Sequence, residues 1–98
     1  MTEISGSGSY PIDQSASISF RIVSIPDGKP IVGQKVLWVL NSDPDGSSFS
    51  TEDGWVRKSY SSRGMVGYKI VRASVVDEQG AVLEEEVFRL QFFDSELP

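Results

Sequence analysis

Between positions 16 and 22 the chain reads Ala-Ser-Ile-Ser-Phe-Arg-Ile, with apolar and polar side chains alternating at every step. A period of two is the spacing of a half-buried β-strand. It puts Ala16, Ile18, Phe20 and Ile22 on one face and Ser17, Ser19 and Arg21 on the other. Four further runs, at 36–40, 55–60, 68–76 and 82–93, have strand character, and shorter strands are expected near 10–12 and 47–50. Turn-forming clusters separate them: Pro26-Asp27-Gly28-Lys29-Pro30, Asn41-Ser42-Asp43-Pro44-Asp45-Gly46, Glu52-Asp53-Gly54, Arg63-Gly64-Met65-Val66-Gly67 and Asp77-Glu78-Gln79-Gly80. No window sustains the three-and-four spacing of an amphipathic helix. Eighteen valines and isoleucines against eight leucines and alanines point the same way. Short strands with regular turns in 98 residues predict one all-β domain, an antiparallel β-sandwich of about seven strands.

Residues 1–9 are rich in Ser and Gly and read as a flexible linker or a cloning remnant, and 95–98 read as the start of another linker. The sandwich is expected over 10–94, as a module cut from a longer protein. Fourteen acidic against nine basic residues give a net charge of −5, which repels phosphate backbones and argues against nucleic-acid binding. No apolar run is long enough for a helix to insert in a membrane. The chain has neither His nor Cys, which removes thiol nucleophiles, a Ser-His-Asp triad and most zinc sites. No enzyme activity and no cofactor are expected.

The order of the turns carries a family resemblance. Asp27-Gly28-Lys29-Pro30-Ile31-Val32-Gly33-Gln34-Lys35-Val36-Leu37-Trp38 resembles the D-G-x-P-V-x-G-x-x-V-x-W run of bacterial immunoglobulin-like domains of the invasin/intimin group. Ser50-Thr51-Glu52-Asp53-Gly54-Trp55-Val56 is similar to that group's T-x-x-x-G turn, and Gly67 with Val71-Arg72-Ala73-Ser74-Val75 to its later strand. The likeness implies an immunoglobulin-like sandwich with Trp38 in its core. It also implies a non-catalytic spacer or interaction module of a bacterial surface or secreted, adhesin-like protein. Partners would then be neighbouring domains of the same chain or another protein. Lys58 departs from the pattern, standing where a small apolar inward residue belongs.

Several residues invite chemistry. Asp43 and Asp45, with Glu52 and Asp53, could gather oxygens for calcium, but the spacing of a calcium loop is absent and the favoured reading is two acidic turns, where Asp and Gly serve backbone geometry, so no metal site is expected. Glu84-Glu85-Glu86 reads as a solvated run that guards a strand edge. Trp55 follows a turn glycine on the outward parity and is a candidate ring for stacking on carbohydrate, with Tyr60 and Tyr68 as its nearest companions. This supports the alternative of an accessory carbohydrate- or ligand-binding module attached to an enzyme. Alternation also predicts a contact face. If Val36, Trp38, Leu40, Val71, Ala73, Val75, Phe88, Leu90 and Phe92 point inward, then Leu37, Val39, Ile70, Val76, Val87 and Phe93 point out, with Arg72 and Arg89 among them. A face carrying Leu37, Val39, Ile70, Val87 and Phe93 is too apolar to be freely solvated, and a neighbouring domain, a partner or a second copy is expected on it.

Overall fold

The computed structural model describes residues 1–94, which form eight strands in two facing sheets: β1 Thr2–Ser5, β2 Gly8–Pro11, β3 Ser15–Arg21, β4 Lys35–Leu40, β5 Asp43–Phe49, β6 Trp55–Ser61, β7 Gly67–Val76 and β8 Val82–Phe93. One sheet has the order β1-β3-β6, the other β2-β8-β7-β4-β5. All pairings are antiparallel except β2 with β8, which is parallel.

The expected alternation builds the core. Ala16, Ile18, Phe20, Val56 and Tyr60 point in from the three-stranded sheet. Val36, Trp38, Val71, Ala73, Val75, Phe88, Leu90 and Phe92 meet them from the five-stranded sheet. Trp38 lies at the centre at 1% exposure, its ring tilted against Phe20 at 5.9 Å, and Phe20 stacks on Phe88 at 6.3 Å. The Trp38 indole N–H donates to Ser48 Oγ at 3.0 Å, so the buried ring keeps its one polar atom satisfied.

Three segments differ from the sequence reading. Residues 1–9 are not a loose linker: β1 pairs with β3, and β2 pairs with β8, on opposite sheets. Gly6 makes the switch between sheets. Its φ is +141°, and a Cβ there would stand 2.9 Å from Ile18 Cα, so the backbone passes where only glycine fits. The Tyr10 hydroxyl donates to the Gly6 carbonyl at 2.6 Å and fixes the bend. Second, the turn after β4 is Asn41-Ser42 alone, with φ of +49° and +75°, the signature of a two-residue hairpin of the primed kind. Asp43-Pro44-Asp45-Gly46, expected as part of that turn, forms the first half of edge strand β5, where Pro44 has no ladder partner to lose on its outer side. Third, Val76 does not point out. A register shift between Val75 and Val76 reverses its parity, and it is 2% exposed.

Because β1 and β2 run in the same direction, they act as one strand bent across two sheets. The chain therefore crosses the sandwich an odd number of times. The N-terminal amine lies against the Glu84 carboxylate near the start of β8, while Asp94 follows the end of that same strand. Ten residues of strand separate them by ~33 Å, within a body 49 × 24 × 17 Å. The N-terminal end and the loops 22–34, 50–54 and 77–81 form what we call the upper pole. The Asn41-Ser42 turn and the 62–66 loop lie at the lower pole with Asp94.

Candidate functional site: the outer face of the five-stranded sheet

The register aligns side chains across the outer face. Val39 on β4 is opposite Arg72 on β7, which is opposite Val87 on β8. Above this row stand Leu37, Ser74 and Glu85; below it, Ile70 is paired with Arg89. Leu37, Ile70 and Val87 are each 37–41% exposed, and Val39 is half-buried. With Asn41 and Ser42 from the hairpin turn, Val39, Ile70, Arg72 and Val87 line a shallow hollow. Arg72 reaches Glu85 at 3.8 Å, and the Ser74 hydroxyl donates to the same carboxylate at 3.2 Å.

Of the five expected contact residues, Leu37, Val39, Ile70 and Val87 share this patch. Phe93 is on the same face but at the lower pole, beside Pro11 of β2 and six residues along β8 from Val87. Tyr68, 71% exposed, stands between Ile70 and Phe93 on the outward parity. Sequence reasoning had grouped it with Trp55; its place two residues before Ile70 on one strand is the signal for this face.

The aromatic platform proposed around Trp55 is not assembled. Trp55 is half-buried on the outer face of the three-stranded sheet, with the Arg57 guanidinium 4.8 Å from its ring centroid. Tyr60 points into the core, and Tyr68 is on the outside of the opposite sheet. One strand thus carries Trp55 outward and Tyr60 inward, as an odd spacing demands.

The acidic candidates are also dispersed. Asp43 and Asp45 begin β5, whereas Glu52 and Asp53 follow its end, so seven strand residues hold the two pairs ~20 Å apart. Asp45 faces β6: its Oδ2 accepts the Tyr60 hydroxyl at 2.8 Å and lies 3.6 Å from the Lys58 ammonium. Burial, then the hydrogen bond to Asp45 and its charge, push the Tyr60 phenol well above its ordinary value, so it stays a neutral donor. Among the described residues no three acidic side chains gather as a metal site. Glu84, Glu85 and Glu86 are within β8, above the point where β2 begins to cover that strand at Leu90. They lie along its uncovered edge.

Two sheets of this order, with a bent first strand shared between them, define an immunoglobulin-like β-sandwich. The sequence matches no family model and no curated protein. Its fold is that of bacterial immunoglobulin-like domains like those of intimin and invasin. It is similar to a C-terminal 282-residue fragment of intimin, solved in complex with the intimin-binding domain of the translocated intimin receptor, with a TM-score of 0.70 at 19% identity over 95% of this chain and 33% of that one. It is also similar to invasin, a bacterial integrin-binding protein, with a TM-score of 0.65 at 18% identity over 93% of this chain and 18% of that one. A third likeness, with a TM-score of 0.63 at 17% identity, is to a CARDB domain from Pyrococcus furiosus, over 91% of this chain and 89% of that one. The chain spans a third or less of the intimin fragment and of invasin.

Proposed function

We propose that the chain is a non-catalytic immunoglobulin-like module, a spacer and interaction domain of a larger bacterial surface or secreted protein of the adhesin kind. The observation that carries this reading is the placement of its ends. The N-terminal amine and Asp94 are at opposite poles of a body 49 Å long, so each copy lengthens a chain instead of folding it back. The outer face of the five-stranded sheet supplies a contact surface, with Leu37, Val39, Ile70 and Val87 as its apolar centre. The intimin fragment, bound to a receptor domain, and invasin, an integrin-binding protein, are proteins whose business is protein contact, which favours a protein partner here. A carbohydrate partner is less favoured, because among the described residues no second ring pairs with Trp55 and the Arg57 guanidinium lies over its face.

Two measurements test the reading. Leu37→Thr with Val39→Thr should leave the melting temperature within a few degrees, since Thr suits an exposed strand. A loss of several kcal/mol would show those side chains buried within the domain and remove the contact face. A soluble-polysaccharide panel should give no binding. Binding that disappears in Trp55→Ala would transfer the assignment to an accessory carbohydrate module.

A further inference from the structure

The 62–66 loop at the lower pole is ordered by its own hydrogen bonds. The buried Ser62 hydroxyl donates to the Ile12 carbonyl at 2.7 Å and accepts from the Gly64 N–H at 3.1 Å. The Arg63 N–H donates to Ser61 Oγ at 3.2 Å, and the Met65 N–H to the Ser62 carbonyl at 3.2 Å. This fixed turn displays two apolar side chains where a polar tip is usual: Met65 is 70% and Val66 62% exposed. Arg63, also exposed, flanks them.

The upper pole carries a feature of opposite form. Phe49, 61% exposed, and Leu83, 62% exposed, line a groove with Leu37 and Lys35. Its far wall is the 77–81 turn, which brings Asp77 and Glu78 to the rim. Asp77 Oδ1 accepts the N–H groups of Gln79 and Ala81 at 2.9 Å, so this wall too is held in place. An apolar knob with an arginine is therefore at one pole, and at the other is an apolar groove with Lys35 on its strand side and two carboxylates, Asp77 and Glu78, on its turn side.

We propose that the lower pole of one copy seats in the upper-pole groove of a second copy, Met65 and Val66 against Phe49 and Leu83, and Arg63 beside Glu78. The occupant is chosen by complementarity within the chain itself: both the apolar and the charged halves of the contact are present on one molecule. Such a contact is head-to-tail and does not close, so it propagates along the long axis of the domain. The geometry of the chain agrees with it. Asp94 leaves at the lower pole and the N-terminal amine lies toward the upper, so copies joined end to end would present these two surfaces to each other. This inference rests on the module reading and adds the surfaces by which copies meet. A contact of one loop tip and one groove falls well below the ~1,200 Å² of a stable interface. Separate copies should therefore pair only near millimolar concentration, whereas linked copies, at an effective concentration on the order of millimolar, would be substantially docked.

The test is a concentration series of the full chain by amide-resolved NMR, up to about 5 mM. Amides of 63–66 and of 49 and 77–83 should shift together, with one concentration dependence, because they are two halves of one contact. Arg63→Asp and Glu78→Arg should each weaken the association at least several-fold, and an equimolar mixture of the two variants should recover it, since reversed charges then meet. Asp is chosen at 63 because it tolerates the φ of +56° found there. Unchanged melting temperatures would show that both variants fold. Shifts confined to one pole, shifts on the outer face of the three-stranded sheet, failure of the mixture to recover, or no shift at all would each overturn the pole-to-pole contact. None of these outcomes touches the module reading, which is tested separately by the glycan panel and the Leu37 and Val39 variants.

Discussion

Replacing Trp38 with Ala removes the largest fully buried side chain of the domain. The indole packs on Phe20 with ring centroids 5.9 Å apart, and the Lys58 ammonium lies 5.9 Å from its ring. Large-to-small changes of a buried aromatic cost about 3–5 kcal/mol through lost transfer energy and the cavity left behind. Losing the tilted contact with Phe20 belongs within that range rather than on top of it, since it is part of the same packing. Ser48 is only half-buried and can turn its hydroxyl to water, so the lost hydrogen bond adds little. The expected loss is about 4 kcal/mol, from a total reserve of about 5–15 kcal/mol in a domain of this kind. At roughly 4–8 °C per kcal/mol for a chain of this length, the melting temperature should fall by roughly 15–30 °C. Chemical denaturation followed by intrinsic fluorescence of Trp55 gives the free energy directly, because that chromophore remains. Trp38→Phe should recover more than half of the loss. A Trp38→Ala variant that melts within a degree or two of the parent would refute a core built around β4.

Gly54→Ala should be severely destabilising, by about 3 kcal/mol or more, because its Cβ would stand 2.5 Å from the Ile22 carbonyl oxygen at a φ of +81°. Gly80→Ala meets no atom within 4 Å at a similar φ of +85° and should cost only about 1 kcal/mol, so equal losses in a urea melt would show that the 50–54 turn is not closed against β3. The raised Tyr60 phenol keeps its proton in the folded chain while the unfolded chain releases its own near pH 10, so the stability tied to it is complete below that pH and is lost as pH rises beyond it. Tyr60→Phe should be less stable by about 1 kcal/mol at neutral pH, and its decline above pH 10 should be shallower than the parent's; parallel declines would mean the phenol is not shielded. Millimolar calcium should leave the melting temperature unchanged, since Asp45 is engaged with Lys58 and Tyr60; a clear rise would place a cation site at the start of β5.

Strands with one face in the core were legible because burial imposes the period of two on the sequence itself. That holds for β3, β4, β7 and the second half of β8, and it placed Leu37, Val39, Ile70 and Val87 on the outer face. Strands without a buried face leave no such trace. All four residues of β1 are exposed, so backbone pairing with β3 and one exposed ion pair, Glu3 with Arg21, hold it in place without a buried face, and a run of Ser and Gly reads as a linker. The separation of Gly6 from Tyr10 was the available hint: a glycine at a bend, and an aromatic that reaches back to hold it. In the same way, the Asp-Pro-Asp-Gly stretch of β5 has turn composition but edge-strand conformation, because Asn41 and Ser42 complete the reversal before it begins. The bulge at Val75 and Val76 depends on how the hairpin to β8 closes, which no single strand reveals.

Lys58 shows where residue pattern and fold part company. Period two places it inward between Val56 and Tyr60, in a position that the family resemblance assigns to a small apolar side chain. Yet β6 is the edge of one sheet and β5 the edge of the other, and both lie on the same open side of the sandwich. There the Lys58 ammonium lies 5.9 Å from the Trp38 ring and 5.8 Å from the Tyr60 ring and meets Asp45, 3.3 Å from the carbonyl and 3.6 Å from the carboxylate. The two side chains are 28% and 34% exposed, so the ion pair itself contributes no more than about 1 kcal/mol. Its larger effect is on what cannot happen: a further strand added to either edge would have to cover this pair and strip its water, which is how an inward charge discourages edge-to-edge association. Sequence alone could not assign that role, since it depends on β5 and β6 both being edges, a property of the assembled sheets and not of either strand.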